Sequence, residues 1–225
     1  MDLSEFEKNI GYQFKEKNLL KTALTHTSYA NEHKVQSNEK LEFLGDAILE
    51  FVTSKFLYKN YKNLKEGEMT KVRATVVCED SLYKVAMKHN FSDFLIVGKS
   101  EIFCHGNEKP AILADSVEAV IAAIYLDSGI ESVEKFILDN LRDAIEIASQ
   151  NVGKKDYKTV LQEELQRHGT VCIEYNIIKE EGPDHSKVFT AEVKCDGKQL
   201  AIGTGSNKKQ AEMEAANKAL NNMHK

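Results

Sequence analysis

The stretch Asn38-Glu39-Lys40-Leu41-Glu42-Phe43-Leu44-Gly45-Asp46-Ala47-Ile48-Leu49 places acidic residues inside an apolar run at helical spacing. At 3.6 residues per turn, three acids share one stripe of such a helix: Glu39, Glu42 and Asp46. A second stripe is apolar and can face a core: Leu41, Leu44 and Ile48. The stretch therefore predicts one helix with both a core face and a carboxylate face.

A stripe of acids on its own is also typical of the solvated face of a surface helix. A second acidic pair argues against that interpretation. The run Ile112–Leu126 is apolar enough to be mostly buried, yet it contains Asp115 and Glu118 at i, i+3. No lysine or arginine lies between Ala111 and Lys135, so burying these acids is unfavourable unless something neutralises them. A divalent metal ion would do so.

The two acidic clusters together predict a metal centre built from oxygen ligands. Its candidate ligands come from two helices: Glu42, Asp46, Asp115 and Glu118. Carboxylates suit Mg²⁺ or Mn²⁺, whereas zinc prefers histidine and cysteine. Two such ions about 4 Å apart are the usual apparatus for hydrolysing phosphodiesters. The pattern therefore favours a nuclease, and mutual repulsion predicts a raised pKa for at least one of these carboxylates without metal.

Four stretches of the chain carry a resemblance to a known family. Residues 38–49 resemble the signature helix of the bacterial ribonuclease III family, and residues 112–126 resemble its second catalytic helix. Residues 23–32 (ALTHTSYANE) and 66–74 (EGEMTKVRA) also match family stretches. The resemblance thus follows the whole chain in order.

This resemblance implies a Mg²⁺-dependent endoribonuclease for double-stranded RNA, with Mn²⁺ as a possible substitute and no small-molecule cofactor. The four carboxylates named above would bind the metal and be needed for cleavage. Glu39 and Glu66 match acids that engage RNA at the cleavage centre. The family acts as a homodimer with one centre per strand, giving 5′-phosphate and 3′-hydroxyl ends with short 3′ overhangs. Its typical role is the processing of ribosomal RNA precursors and of other RNAs, including messenger and transfer RNA.

Two stretches differ from many family members, and one glycine in the signature helix requires a structural reason. Thr27 stands where many members have arginine, and Lys109-Pro110-Ala111 replaces the usual residues before the Asp115 helix. Proline is tolerated in a first turn, so we expect Pro110 to change only how that helix begins. Gly45 lowers helix propensity by about 1 kcal/mol relative to alanine, which predicts a close approach there, for example at a contact between two copies.

A second domain follows a polar stretch near residues 148–155. Periodicity predicts a helix at 156–167, three strands at 171–178, 188–194 and 198–203, and a final helix at about 207–221. Ser206 or Asn207 is the predicted cap of the last helix. Asp196-Gly197 is a predicted hairpin turn between the last two strands. This α-β-β-β-α order is typical of a double-stranded RNA-binding domain. The predicted fold is therefore two domains: an all-α ribonuclease III endonuclease domain (1–150), a linker (151–155) and an α+β double-stranded RNA-binding domain (156–225).

Net charge alone does not reveal this RNA partner. Residues 1–153 contain 18 Lys+Arg and 24 Asp+Glu, and residues 154–225 contain 12 and 11. Lys208 and Lys209, however, lie in the predicted first turn of the last helix, where cations and the helix end can meet phosphates together. The resemblance adds candidate RNA contacts elsewhere in the domain: Gln162, Glu163, His185 and Ser186. It also shows Glu212 in place of a third lysine.

The remaining composition excludes several other classes of protein. The chain begins Met1-Asp2-Leu3-Ser4-Glu5 without an apolar leader region, and no apolar run is long enough for a membrane span, so we expect a cytoplasmic protein. The four cysteines form no C-x-x-C pair, which predicts neither a zinc knuckle nor a disulfide framework. His26 is interpreted as a structural histidine.

Two other functions fit parts of the pattern. A non-catalytic double-stranded RNA-binding protein could keep the helical fold as a dimer scaffold, but it would not need four acids in apolar runs. A phosphohydrolase of small nucleotides would explain the metal site but would leave the C-terminal domain without a role. The endoribonuclease accounts for both domains.

Overall fold

The computed structural model describes residues 3–103, 105–152, 157–167, 171–183 and 187–223. The chain divides into two compact units, Met1–Val152 and Gly153–Lys225. Two of the candidate RNA contacts, His185 and Ser186, lie outside the described residues, as does Cys104. No helix in the described ranges is long and apolar enough to cross a membrane.

The first unit is built from α-helices, which confirms the predicted all-α domain. In chain order they are α1 (Ser4–Ile10), α2 (Lys17–Ala23), α3 (Thr27–His33), α4 (Glu39–Asn60), α5 (Glu66–Val76), α6 (Glu79–Lys88), α7 (Lys99–Phe103), α8 (Pro110–Ser128) and α9 (Ile130–Asn151). Short 3-10 turns lie at Phe91–Asp93 and Gly106–Glu108. The predicted signature helix and second catalytic helix correspond to α4 and α8.

The apolar helix α8 lies at the centre of this unit. Helices α2, α4, α6 and α9 all pack against it. From Leu113 to Ile124 every residue is buried except Asp115 and Glu118, which are half-buried. Pro110 occupies its first turn, as predicted. At its other end, the Asp127 carboxylate accepts hydrogen bonds from the Tyr12 hydroxyl (2.6 Å) and from the Glu16 backbone N–H (2.8 Å). These bonds fasten the N-terminal segment to α8.

The second unit has the predicted α-β-β-β-α order. Its elements are α10 (Tyr157–Gln166), β1 (Ile173–Glu181), β2 (Val188–Cys195), β3 (Lys198–Gly205) and α11 (Lys208–Met223). The strands form an antiparallel sheet in the order β1-β2-β3. Asp196 and Gly197 both have positive φ, 49° and 78°, as a two-residue type I′ hairpin requires. Asn207 is the cap of α11, because its side-chain oxygen accepts the Gln210 N–H at 2.9 Å.

Helix α11 packs tightly on the sheet because the facing residues are small. A Cβ on Gly203 would lie 2.5 Å from the carbonyl oxygen of Ala211, so only glycine fits at this point of β3. Ala215 and Ala216 are fully buried on the helix side, together with Val193 from the sheet. The core of this unit therefore depends on close backbone approach as well as on side-chain volume.

The last helix of the first unit ends where the predicted linker begins. The sequence predicts helical structure to about Gln150 and a linker at residues 151–155, and α9 ends at Asn151. Ala148 and Val152 pack against the hydrophobic core of the first unit, and the Val152 N–H donates to the Ala148 carbonyl at 2.8 Å. Tertiary packing therefore supports the last turn of α9, where the sequence becomes polar.

Candidate active site

Helices α4 and α8 touch backbone to backbone at Gly45. A Cβ built on Gly45 would lie 2.5 Å from the carbonyl carbon of Glu118 and still closer to its oxygen. No side chain larger than hydrogen fits there, so the predicted close approach at Gly45 is confirmed. The approaching backbone belongs to α8 of the same chain, and Gly45 therefore needs no contact with a second copy to explain it.

This contact joins the two helices that carry the four predicted metal ligands. Glu42 and Asp46 lie on either side of Gly45 along α4, and Glu118 lies opposite it on α8, with Asp115 one turn earlier. Glu42, Asp115 and Glu118 are half-buried, whereas Asp46 is exposed. The apolar stripe of α4 faces the core as predicted, since Leu41, Leu44 and Ile48 all contact it. The four acids thus lie on the side of α4 and α8 that is not fully buried in the core.

The pKa values of these carboxylates reflect burial and mutual repulsion. Burial raises the pKa of Glu118 to about 8, and the charges of Asp46, Asp115 and Glu42 contribute to the same shift in that order of importance. The pKa of Glu42 is also raised, first by burial and then by Asp115, Glu39 and Asp46. The raised pKa expected for at least one carboxylate is therefore found at both positions. Glu118 keeps its proton near neutral pH when no cation is present.

The donor set fits a hard divalent cation. It consists of carboxylates alone, without the histidine or cysteine that zinc would favour. Among the residues that the structure describes, none of the four forms an ion pair with lysine or arginine. Within the same ranges, no three ligand side chains stand close enough together to form a finished cage. The four acids are thus coupled through their charges, and no lysine or arginine in the described ranges pairs with them.

Comparison with known proteins identifies the family. The profile of the Ribonuclease-III-like family matches residues 16–145, which is more than half of the chain. The chain belongs to the ribonuclease III family. The double-stranded RNA binding motif matches residues 157–223, so the order of domains is the predicted one.

Curated relatives resemble this ribonuclease III family member over almost its whole length. Ribonuclease 3 of Clostridium tetani is 46% identical over 224 residues, covering 99% of this chain and 95% of that protein. Ribonuclease 3 of Clostridium perfringens is 47% identical over 221 residues, covering 98% and 93%. A solved nuclease domain of ribonuclease III from Campylobacter jejuni is 39% identical with a TM-score of 0.60, covering 64% of this chain and 98% of that one.

Two further residues affect the pKa of Asp115 in this family member, and the sequence alone does not indicate that they do. The charge of Glu79, in the first turn of α6, raises the pKa of Asp115 after the larger effect of burial. The charge of His26 opposes this shift. His26 is also the N-cap of α3, where its Nδ1 accepts the Ser28 N–H at 3.3 Å, so its structural interpretation is confirmed. No local pattern links Glu79 to Asp115, since only the packing of α6 on α8 brings them together.

The two acids that family resemblance assigns to RNA engagement occupy different places. Glu39 lies near the centre, because its charge raises the pKa of Glu42. Its carboxylate accepts hydrogen bonds from Ser37 (2.7 Å) and from Thr27 (3.4 Å), the residue that replaces arginine in this chain. Glu66 is exposed in the first turn of α5 and accepts the Thr70 hydroxyl at 3.1 Å. The charges that raise the pKa values of Glu42, Asp115 and Glu118 do not include that of Glu66.

Four of the candidate RNA contacts of the C-terminal unit lie within the described residues, and all four are exposed. Gln162 and Glu163 lie on the surface of α10, and Lys208 and Lys209 lie in the first turn of α11. The Lys208 ammonium is 3.3 Å from the carboxylate of Glu180, a solvent-exposed ion pair that contributes little stability. The lysines therefore remain accessible to another anion.

Glu212 replaces the third lysine of this region, and the structure gives it a structural role. Its carboxylate pairs with Lys158 on α10 at 2.8 Å. The same ammonium lies 4.0 Å from the centre of the Tyr175 ring. Glu212 thus links the two helices of this unit through Lys158 and the face of β1.

Proposed function

We propose that this protein is a Mg²⁺-dependent endoribonuclease that cleaves double-stranded RNA by two-metal-ion hydrolysis. The observation that carries this proposal is the contact between α4 and α8 at Gly45, across which burial and the charges of Asp46, Asp115 and Glu42 raise the pKa of Glu118 to about 8. Half-buried acids without a protein counter-ion are unfavourable unless a cation binds them. The double-stranded RNA binding motif in the same chain supports RNA as the substrate.

Each domain has its own part in this mechanism. The four carboxylates would hold the metal, and Glu118 would lose its proton when the cation binds. Bound Mg²⁺, for which Mn²⁺ can substitute, would supply an activated water and stabilise the leaving oxygen. The C-terminal unit would hold the A-form duplex through its shape and phosphates, so we expect low sequence specificity. Glu39 and Glu66 would engage RNA at the cleavage centre.

The products and the assembly follow from family membership. Hydrolysis would leave 5′-phosphate and 3′-hydroxyl ends with short 3′ overhangs, and the substrates would include ribosomal RNA precursors and other RNAs that are processed. Cutting both strands requires two centres, which a homodimer supplies. The Campylobacter jejuni nuclease domain is described as containing a region involved in dimer formation. In this chain Phe43, on the signature helix, is 81% exposed, as a dimer contact would require.

Cleavage of a long perfect RNA duplex tests the proposal. The wild-type protein should cut it in Mg²⁺, and the Glu118→Gln variant should bind it in a gel-shift assay without cutting. Tight binding by both proteins without cleavage by either would favour the scaffold function instead. Hydrolysis of small nucleotides that survives deletion of residues 154–225 would favour the phosphohydrolase.

A further inference from the structure

A basic and aromatic segment joins α4 to α5 in an otherwise acidic domain. It reads Tyr58-Lys59-Asn60-Tyr61-Lys62-Asn63-Leu64-Lys65 and repeats the triplet Tyr-Lys-Asn. Residues 55–65 contain four lysines and no acid, whereas residues 1–153 as a whole have six more acids than Lys+Arg. We name residues 58–65 the α4–α5 corner. Its local charge differs in sign from that of its domain, and none of the mechanism above uses it.

The corner forms one side of an open cleft. The cleft has a volume of about 310 Å³, at the lower end of the usual range for small-ligand sites, and is lined by Tyr58, Tyr61, Lys62, Leu64 and Met69. Tyr58 lies in the last turn of α4 and is 77% exposed. Tyr61 is half-buried, and its ring packs edge-on against Phe56 with centroids 6.2 Å apart. The cleft therefore combines one fixed ring with one that is free to stack.

The lysines of the corner are available to an anion. Lys59 and Lys62 are exposed, and within the ranges that the structure describes neither forms an ion pair with an acid. A lysine at a helix C-terminus is favoured by the helix dipole, which accounts for Lys59 alone. The dipole does not account for the exposed Tyr58 ring or for the apolar floor made by Leu64 and Met69. Aromatic faces beside unpaired cations are the combination that binds single-stranded nucleic acid.

We propose that the α4–α5 corner binds a single-stranded segment of RNA that adjoins the duplex. An unpaired base stacks on Tyr58 in the cleft, and its flanking phosphates lie against Lys59 and Lys62. A base within a duplex cannot offer its face in this way, so the site discriminates between blunt and extended ends. The proposal rests on the proposed function. It is supported by position, since Met69 in the cleft is one turn from Glu66, which is expected to engage RNA.

Binding to two duplexes tests the proposal. One is a blunt RNA duplex, and the other is the same duplex with a single-stranded 3′ extension that contains 2-aminopurine. With divalent ions removed, the full-length protein should bind the extended duplex more tightly and quench the fluorescent base. The Tyr58→Ala variant should lose about 5- to 140-fold in affinity for the extended duplex only, the range for one base stacked on an aromatic ring. Tyr58→Phe should behave as wild type because it keeps the ring.

The lysines are tested by salt dependence. Lys59→Gln/Lys62→Gln should lower the slope of log affinity against log salt by about 1.4 on the extended duplex, or about 0.7 per lost phosphate contact. The double variant Lys15→Gln/Lys21→Gln removes the same charge from exposed positions elsewhere and should leave the difference between the two duplexes unchanged.

Three results would overturn the inference: equal wild-type affinity for both duplexes, an unchanged preference in Tyr58→Ala, or a change in oligomeric state of Tyr58→Ala by sedimentation. The last result would assign the cleft to a contact between copies. Cleavage of the blunt duplex in Mg²⁺ reports on the proposed function separately and should be the same in wild type and Tyr58→Ala. Failure of the wild type to cleave the blunt duplex would contradict the proposed function itself.

Discussion

Replacing Gly45 with alanine should separate the two helices that carry the carboxylates. The added Cβ would lie 2.5 Å from the Glu118 carbonyl carbon, whereas two carbons prefer a separation of about 3.5 Å or more, so α4 and α8 must move apart by about 1 Å. The obstacle is backbone, so no side-chain rotation relieves it. Overpacking typically costs about 1–3 kcal/mol, and the better helix propensity of alanine returns about 1 kcal/mol. The net loss in the free energy of unfolding is then up to about 2 kcal/mol.

Activity should suffer more than stability in the Gly45→Ala variant. Displacing reacting groups by about 1 Å can lower a rate about 100-fold, because the geometry of the metal ligands sets the position of the attacking water. We expect the melting temperature to fall by up to about 8 °C and kcat/KM for a perfect RNA duplex to fall about 100-fold at a temperature where the variant is folded. Gel-shift affinity for the duplex should change little, since the C-terminal unit is untouched.

The chain offers a matched control at Gly67, which is also helical, because a Cβ added there would have no other atom within 4 Å. Gly67→Ala should therefore fold and cleave like the wild type. If Gly45→Ala melts with the wild type and cleaves at the wild-type rate, then the contact between Gly45 and Glu118 does not set the geometry of the site, and the reasoning above is wrong.

Other predictions concern charge. Without divalent ions, the free energy of unfolding should fall as the pH rises from about 4.5 to about 8, because folded Glu118 keeps a proton that the unfolded chain releases. Thermal melts in EDTA should show the melting temperature falling over this pH range in wild type. The fall should be smaller in Glu118→Gln. Ca²⁺ should raise the melting temperature without supporting turnover, since its looser coordination places water poorly, and cleavage at the Mg²⁺ rate would contradict this. Lys208→Gln/Lys209→Gln should weaken duplex binding and lower its salt slope by about 1.8, whereas an unchanged slope in a salt titration would exclude phosphate contacts by these lysines.

The features of the site that could be predicted from the sequence are those set by local periodicity. The spacing of Glu42 and Asp46 against Leu41 and Ile48 fixes which face of α4 is buried, whatever packs against it. The type I′ turn at Asp196-Gly197 is equally local, because two residues with positive φ suffice to form it. Such features depend on residues close in the chain and can therefore be predicted from the sequence.

The features that could not be predicted depend on which helices meet. Glu79 affects Asp115 only because α6 packs on α8, and the Glu212 carboxylate pairs with Lys158 only because α10 lies beside α11. In both cases the two residues are more than 35 positions apart in the chain, and neither carries a spacing that marks the other. Family resemblance does not supply these contacts either, since it compares residues position by position.

Gly45 shows both what local sequence can predict and what depends on tertiary packing. Its low helix propensity in an otherwise strong helix is a local signal of close approach, but the identity of the approaching element is a tertiary fact. The structure shows that element to be α8 at Glu118, whose carboxyl pKa is raised to about 8. A larger residue at position 45 would move Glu118 away from Glu42 and Asp46 and weaken the mutual repulsion that only a cation relieves. The glycine is therefore part of the electrostatics of the site, although it has no charge of its own.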